Sequence, residues 1–369
     1  MNLNTGSKPQ KMYPVLLALI LFLTVGCSQN EGSEEVEEEI IFEEEEEEEE
    51  PEDEIEEKPG TPSPISGIYV DEEGRLERPV VGVMYDNNPR ARPQAGIYDA
   101  EVIYEFYVEG NATRLLAFFL INDPELIGPV RSARPYYIEK AMEYHAIYAH
   151  AGASSRVNEE IKSLGIQNVS LLGPGSGAFW RESHRRAPHN AYTSMDNIRD
   201  TAKNLNYREI SEFEGYKFHE EKVALASGQA AEHFEVRYHA AYRAEYRYNE
   251  EAKGYDRYYT DQRQYDETHD EEEEKPILAT NVLVQIVPAR LIPGSGSGIL
   301  EMDTIGSGKA YYFTMGEMME VRWEKDDQEG FTRYYDIDGE EVTLNPGQTW
   351  VQVISRDELL TVDEVEQEN

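Results

Sequence analysis

Two arginines and a proline give the first chemical lead. Gly128-Pro129-Val130-Arg131-Ser132-Ala133-Arg134-Pro135 places two guanidiniums three residues apart. Pro135 suits the first turn of a helix, so Arg134 falls at its N-cap. The free N–H groups of a helix start favour an anion. Arginine adds planar, paired donors that match phosphate or carboxylate. Arg131 and Arg134 are therefore candidate ligand-binding residues for an anion. The competing assignment pairs each of them with a structural carboxylate such as Glu105 or Glu109.

A second polar cluster is His184-Arg185-Arg186-Ala187-Pro188-His189-Asn190. A proline-containing loop presents such residues, which makes Arg186, His189 and Asn190 candidate ligand contacts. An imidazole at His189 could also serve as general acid or base near neutral pH, or be an ordinary hydrogen-bonding surface residue. Glu105 and Glu109 lie four residues apart, about 13 Å on a strand. That exceeds the ~5–9.5 Å of two-carboxylate glycosidases, so Glu105 would need another carboxylate, such as Asp86. Asp86, Glu105 and His189 are the candidate catalytic groups.

Other motifs fail on spacing. Gly175-Ser176-Gly177 and Gly294–Gly298 lack the glycines at −2 and +2 of a nucleophile elbow. Gly308-Lys309 lacks the upstream glycine of a phosphate loop, and His219 has no second histidine for a zinc-protease helix. His145 and His150 are five apart and would not share a helix face. No cofactor and no metal site are expected.

The elements that must position these residues follow from periodicity. Val80–Asp86 is a short apolar run ending in turn residues and reads as a buried strand. Residues 100–109 alternate, with Val102, Tyr104, Phe106 and Val108 on one face. They predict a hairpin with 115–121, packed on one side. A helix is expected from Pro135 to about Ala149. Another starts at Ser154 or Ser155 and closes at Gly165, and a third spans 194–205 behind a Thr193/Asp196 capping box. From Phe234 onward short Tyr-rich strands take over, at 234–238, 244–248, 255–259, 282–287, 310–314, 319–323 and 350–354. The pattern predicts an α+β domain over residues 76–230, then a mostly antiparallel all-β domain over 231–360.

The total charge of −40 is unevenly placed. Residues 28–58 hold 19 acidic residues against Lys58, a net of −18; with Lys8 and Lys11 in residues 1–27, the rest carries −24. An acidic body of this kind argues against nucleic acid as a partner. Residues 1–27 have the parts of an export signal: Lys8 and Lys11, the apolar run Val15–Val25, then Gly26-Cys27. Eleven apolar-dominated residues are too few to span ~30 Å of hydrocarbon. Cys27 is the only cysteine, so no internal disulfide can form. Leu23-Thr24-Val25-Gly26-Cys27 is close to a lipobox, which marks Cys27 for lipidation; the alternative is an ordinary cleaved signal. Residues 28–75, with eight consecutive glutamates at Glu43–Glu50, are expected to be a disordered acidic segment, either a tether or a solubilising tail.

These residues together resemble the YerB-like lipoproteins, a two-part family whose domains are of unknown function. The matching strings are Arg92-Pro93-Gln94, Glu105, Glu109-Gly110, Gly128–Pro135 and Ala187-Pro188-His189-Asn190. In the second half they are Asn281-Val282-Leu283-Val284 and Pro346-Gly347-Gln348-Thr349-Trp350-Val351. The resemblance implies a lipid-anchored protein on the extracytoplasmic face of a cell membrane, and it carries over no catalytic residues. The residues themselves point to binding of an anionic or glycan-like envelope component through Arg131, Arg134, Arg186, His189 and Asn190. One alternative is an envelope-directed hydrolase or transferase using Glu105 or Asp86 with His189. The other is a protein-interaction scaffold, its protein partner gripped by the tyrosines. If acylation of Cys27 supplies the membrane affinity, Cys27→Ala will move the protein from the membrane to the soluble fraction. Equal membrane retention of variant and parent on fractionation would refute the anchor.

Overall fold

The computed structural model describes residues 60–110, 112–267, 275–292 and 300–363. Cys27, the export signal and the acidic run to residue 59 lie outside the described residues, as does the Gly294–Gly298 loop.

Six consecutive residues without a charge until the last, Val81–Asp86 (β1), form a strand buried at every position. Such a run suits a strand covered on both faces. The hairpin strands are Val102–Val108 (β2) and Ala112–Phe119 (β3). Pro135–Glu143 (α1), Ile147–His150 (β4), Ser155–Ser163 (α2), Asn168–Ser170 (β5) and Met195–Asn204 (α3) follow. The second half supplies His233–His239 (β6), Tyr242–Asn249 (β7), Gly254–Tyr259 (β8) and Asn281–Ile286 (β9). It ends with Gly306–Thr314 (β10), Glu317–Lys325 (β11) and Thr349–Ile354 (β12).

The fold is mostly β, with three short α-helices among the described residues. The expected α+β half and all-β half are joined through a shared sheet. One mixed eleven-stranded sheet runs through both, in the order Gln229–Ala230, β11, β10, β9, β12, β2, β3, β1, β4, β5, with Arg333–Tyr335 as the eleventh strand, paired to β11. Strand β12, near the C-terminus, lies parallel to β2 and to β9, with Thr349 opposite Val102 and Val353 opposite Phe106. Its backbone hydrogen bonds close the sheet across what the sequence presents as two domains. A six-stranded sheet built around β6, β7 and β8 packs against it.

Both faces of the main sheet are covered, which corrects the one-sided hairpin. Tyr104, Phe106, Leu116 and Phe118 meet Tyr137, Ile138 and Ala141 of α1 and Val157 and Ile161 of α2. Ile103, Leu115, Ala117 and Phe119 meet Met195 and Ile198 of α3 and Phe234, Tyr246 and Tyr255 of the smaller sheet. Alternation along β2 is therefore a division between two cores.

Three local expectations also shift. Helix α1 stops at Glu143, with His145 at φ 46°, because Ile147–Ala149 pairs in parallel with Val81–Val83. Strand pairing overrides helical continuity there. The cap of α3 is Ser194, whose hydroxyl accepts from Asn197 N–H, while Thr193 donates to the Ala178 carbonyl. Structure also begins earlier than the expected tail end at 75. Ser63 and Ser66 donate to the buried Glu101 carboxylate at 2.6 and 2.7 Å, and Ile65 is buried between them.

Gly82 brings the backbone of β1 against the aromatic layer. A Cβ there would sit 2.8 Å from the Phe118 ring, which is itself stacked on Tyr144 at 4.1 Å. Gly82→Ala should therefore overpack the core and cost about 1–3 kcal/mol. Thermal unfolding will read this as a lowered Tm, and an unchanged Tm would show that Phe118 can retreat.

Candidate functional site

The C-terminal end of β1 delivers Asp86 and Asn87 to a place where three loops meet. The loop before α1 runs along β1: Asp86 N–H donates to the Pro129 carbonyl and Arg131 N–H to the Met84 carbonyl, both at 2.8 Å. The third loop joins by Val130 N–H donating to the Ala191 carbonyl at 2.6 Å. These backbone bonds carry Arg131 and His189 to the same carboxylate.

Asp86 is buried, and its Oδ2 lies 2.7 Å from His189 Nδ1 and 3.1 Å from Arg131 Nε. A carboxylate can only accept, so Nδ1 is the donor in this contact. Arg131 keeps a side chain 24% exposed. Burial, more than the opposing pull of Asp86, holds its pKa below the ordinary guanidinium value.

The other predicted contacts stand differently. Arg134 grips Glu109 with Nε and Nη2, and its Nη1 donates to the Ala133 carbonyl at 2.7 Å. Its donors are spent on the fold, as the competing assignment required. Asn190 is buried, accepting from Arg181 and donating to the Glu182 and Arg185 carbonyls. It shapes the loop from within. Arg186 is exposed on the same loop, and its carbonyl accepts from His189 N–H.

Glu105 is fully buried, with every approach taken. Oε1 accepts from Asn87, Thr113 and Tyr242 at 2.9, 2.6 and 2.6 Å, and Oε2 from Arg257 at 2.6 Å. Arg257 itself is fully buried, 4.1 Å over the Trp350 ring. A substrate cannot reach this carboxylate. The position serves cohesion.

Two site residues escaped the sequence reading. Arg92 donates to Asn87 Oδ1 and lies 3.7 Å over the Tyr259 ring. Arg185 ties the His189 loop to the Arg90, Arg92 and Pro93 carbonyls and to Glu267. Arg92 had only a place in a string shared with a family, and Arg185 only a place in the polar cluster His184–Asn190. Around this end of β1, Arg114 and Arg134 share Glu109, Arg131 pairs with Asp86 and Arg185 with Glu267, so four guanidiniums meet three carboxylates. Guanidiniums outnumber carboxylates in an otherwise acidic body.

Elsewhere, His233, Glu235 and Glu245 bring possible metal-ligand atoms within 4.8 Å of one another. Arg243 and Arg247 already neutralise those carboxylates. The tyrosines of the smaller sheet are largely consumed by packing, Tyr246 and Tyr255 fully. That removes the interface argument made from their number. No helix among the described residues is long and apolar enough to cross a membrane.

Removing Arg257 would strand the Glu105 charge. Arg257→Leu should destabilise the fold by about 3–5 kcal/mol, measured by denaturant unfolding. A loss below 1 kcal/mol would mean that water or Tyr242 can replace the guanidinium.

The chain is similar to known proteins over most of its length. Residues 65–208 match the family described as "Protein of unknown function (DUF3048) N-terminal domain", and residues 234–351 its C-terminal domain. "Putative lipoprotein YerB" of Bacillus subtilis (strain 168) is 26% identical over 294 residues, spanning 79% of this chain and 86% of that protein. The crystal structure of the YerB protein from Bacillus subtilis has a TM-score of 0.73 and 27% identity. It covers 82% of this chain and 99% of that one.

Proposed function

We propose that this chain, which belongs to the YerB-like family with its paired N- and C-terminal domains of unknown function, is a lipid-anchored protein on the extracytoplasmic face of the cell membrane. Its body binds an anionic or glycan-like component of the envelope. Lipidated Cys27 is the anchor, supported by the Gly26-Cys27 step after the export signal and by the relative's name. Arg131, Arg186 and His189 present the ligand contacts, while Arg134 and Asn190 hold the loops that carry them.

One observation carries the binding reading: Arg131 and His189 converge on one end of β1, where guanidiniums exceed carboxylates. Opposite charge concentrated in an acidic body draws an anion to that spot. The observation that favours a second reading is the 2.7 Å contact of Asp86 with His189 Nδ1. It orients an imidazole as a general base requires, so an envelope-directed hydrolase or transferase would use Asp86 and His189. Glu105 drops out of that reading because it is sealed.

A glycerol-phosphate polymer and a neutral chitooligosaccharide separate the cases. Arg131→Ala should weaken polymer binding by about tenfold or more, since each charge-assisted hydrogen bond contributes ~1.5–3 kcal/mol. It should leave the neutral glycan unaffected. Under the binding reading His189→Ala loses modest affinity. Under the enzyme reading it loses ~10²–10⁴-fold in turnover with affinity kept. Unchanged polymer affinity in Arg131→Ala would remove the site.

A further inference from the structure

The opposite end of β1 carries a second cationic surface. Arg78 and Pro79 lead into β1 there, Ile147 opens its parallel neighbour β4, and the last turn of α3 completes the wall. Together they enclose a cleft of about 1070 Å³. Its charged walls are Arg78, Arg199, Lys203 and Arg208, against Glu209.

These charges are incompletely matched. Arg78 and Arg199 both reach a single carboxylate, Asp123, at 2.7 and 3.0 Å. Two guanidiniums on one carboxylate leave a positive excess, lessened by the through-space pull of buried Glu101 on Arg199. Buried Nη2 of Arg78 has no hydrogen-bond partner. Burial first, and then the charge of Arg78, hold the Arg199 pKa down to about 10. Arg208 donates to uncharged acceptors, Gln167 Oε1 at 2.9 Å and the His145 carbonyl at 3.2 Å. Glu329 acts on it only through space. Lys203 is exposed beside them. The carbonyl end of α3 disfavours an anion within its last turn, and the four cations oppose that effect.

The rest of the wall is the apolar strip of Pro79, Ile147, Ala202 and the ring of Tyr207, together with Asn204 and Asn206. Bare phosphate would occupy a small part of such a space, since pockets of about 300–1,000 Å³ hold drug-sized organic molecules. We propose that this cleft binds an amphipathic phosphate ester. Its phosphate is held by Arg78, Lys203 and Arg208, and its hydrocarbon lies along Pro79, Ala202 and Tyr207. The cleft lies across the length of β1 from Arg131 and does not depend on the function proposed above.

Calorimetric titration of the full chain tests this with three probes: dihexanoyl phosphatidate as monomers, dihexanoyl phosphatidylcholine, and inorganic phosphate. Phosphatidate should bind at least about tenfold more tightly than the other two, because only it offers both an uncompensated anion and acyl chains. Lys203→Glu, on an exposed residue that leaves the fold intact, should weaken phosphatidate binding by about tenfold. Arg131→Ala should leave it unchanged. Equal affinity for inorganic phosphate would make the cleft a free-anion site and overturn the amphipathic assignment. Equal affinity for phosphatidylcholine would overturn the phosphate contacts. Loss of binding in Arg131→Ala with none in Lys203→Glu would place the ligand at the other end of β1.

Discussion

A carboxylate with no exposure to water organises this molecule. Glu105 sits in the middle of the main sheet and would be prohibitively costly to bury alone. Arg257, from the second half of the chain, supplies the opposite charge at 2.6 Å. The pairing brings the smaller sheet over this face of β2. From Arg257 the hydrogen bonds continue through Gln264 to Gln94, and Gln94 donates to the Asp86 carbonyl. Tyr259 donates to the same Gln94, and Arg92 lies over its ring. The loop that leaves β1 is thereby held from beneath, and with it the Asp86 carboxylate that meets Arg131 and His189.

The other face repeats the device. Lys140 and Glu143 of α1 are fully buried with Lys325 of β11, and Lys140 also donates to Thr332. Burial pushes the Glu143 carboxyl up, but Lys140 and Lys325 more than offset it, so its pKa lies below the ordinary value. Each core thus holds one ionic cluster whose members come from both halves of the chain. Replacing such clusters with apolar residues is often neutral or stabilising elsewhere. Their consequence here is geometric: a one-residue slip of β2 would turn Glu105 into the Phe118 and Tyr144 layer.

Charge is segregated on the surface as well. The body is strongly acidic, yet cationic side chains gather at both ends of β1: Arg131 and Arg186 near Asp86, and Arg78 and Lys203 near Pro79. Between them the strand is fully buried. In a chain of net −40, such local reversals make the potential at these two places less negative than over the rest of the body.

The sequence by itself determined most strand segments and the starts of α1 and α2, and it singled out His189, Arg131 and Asp86, which the fold brings into contact. Those signals are local: period-two alternation, a proline at a first helical turn, a serine cap, polar residues beside Pro188. It also showed the resemblance that the family match bears out. Only the tertiary structure decided which carboxylate each arginine meets. Arg134 and Arg131 look alike three residues apart, but one meets Glu109 and the other meets Asp86 with His189. It also decided that β12 enters the sheet beside β2, that α1 ends early to release β4, and that Glu105 is sealed. Each depends on partners 25 to 250 positions away along the chain, and nothing in a residue's near neighbours encodes which distant charge or strand will face it.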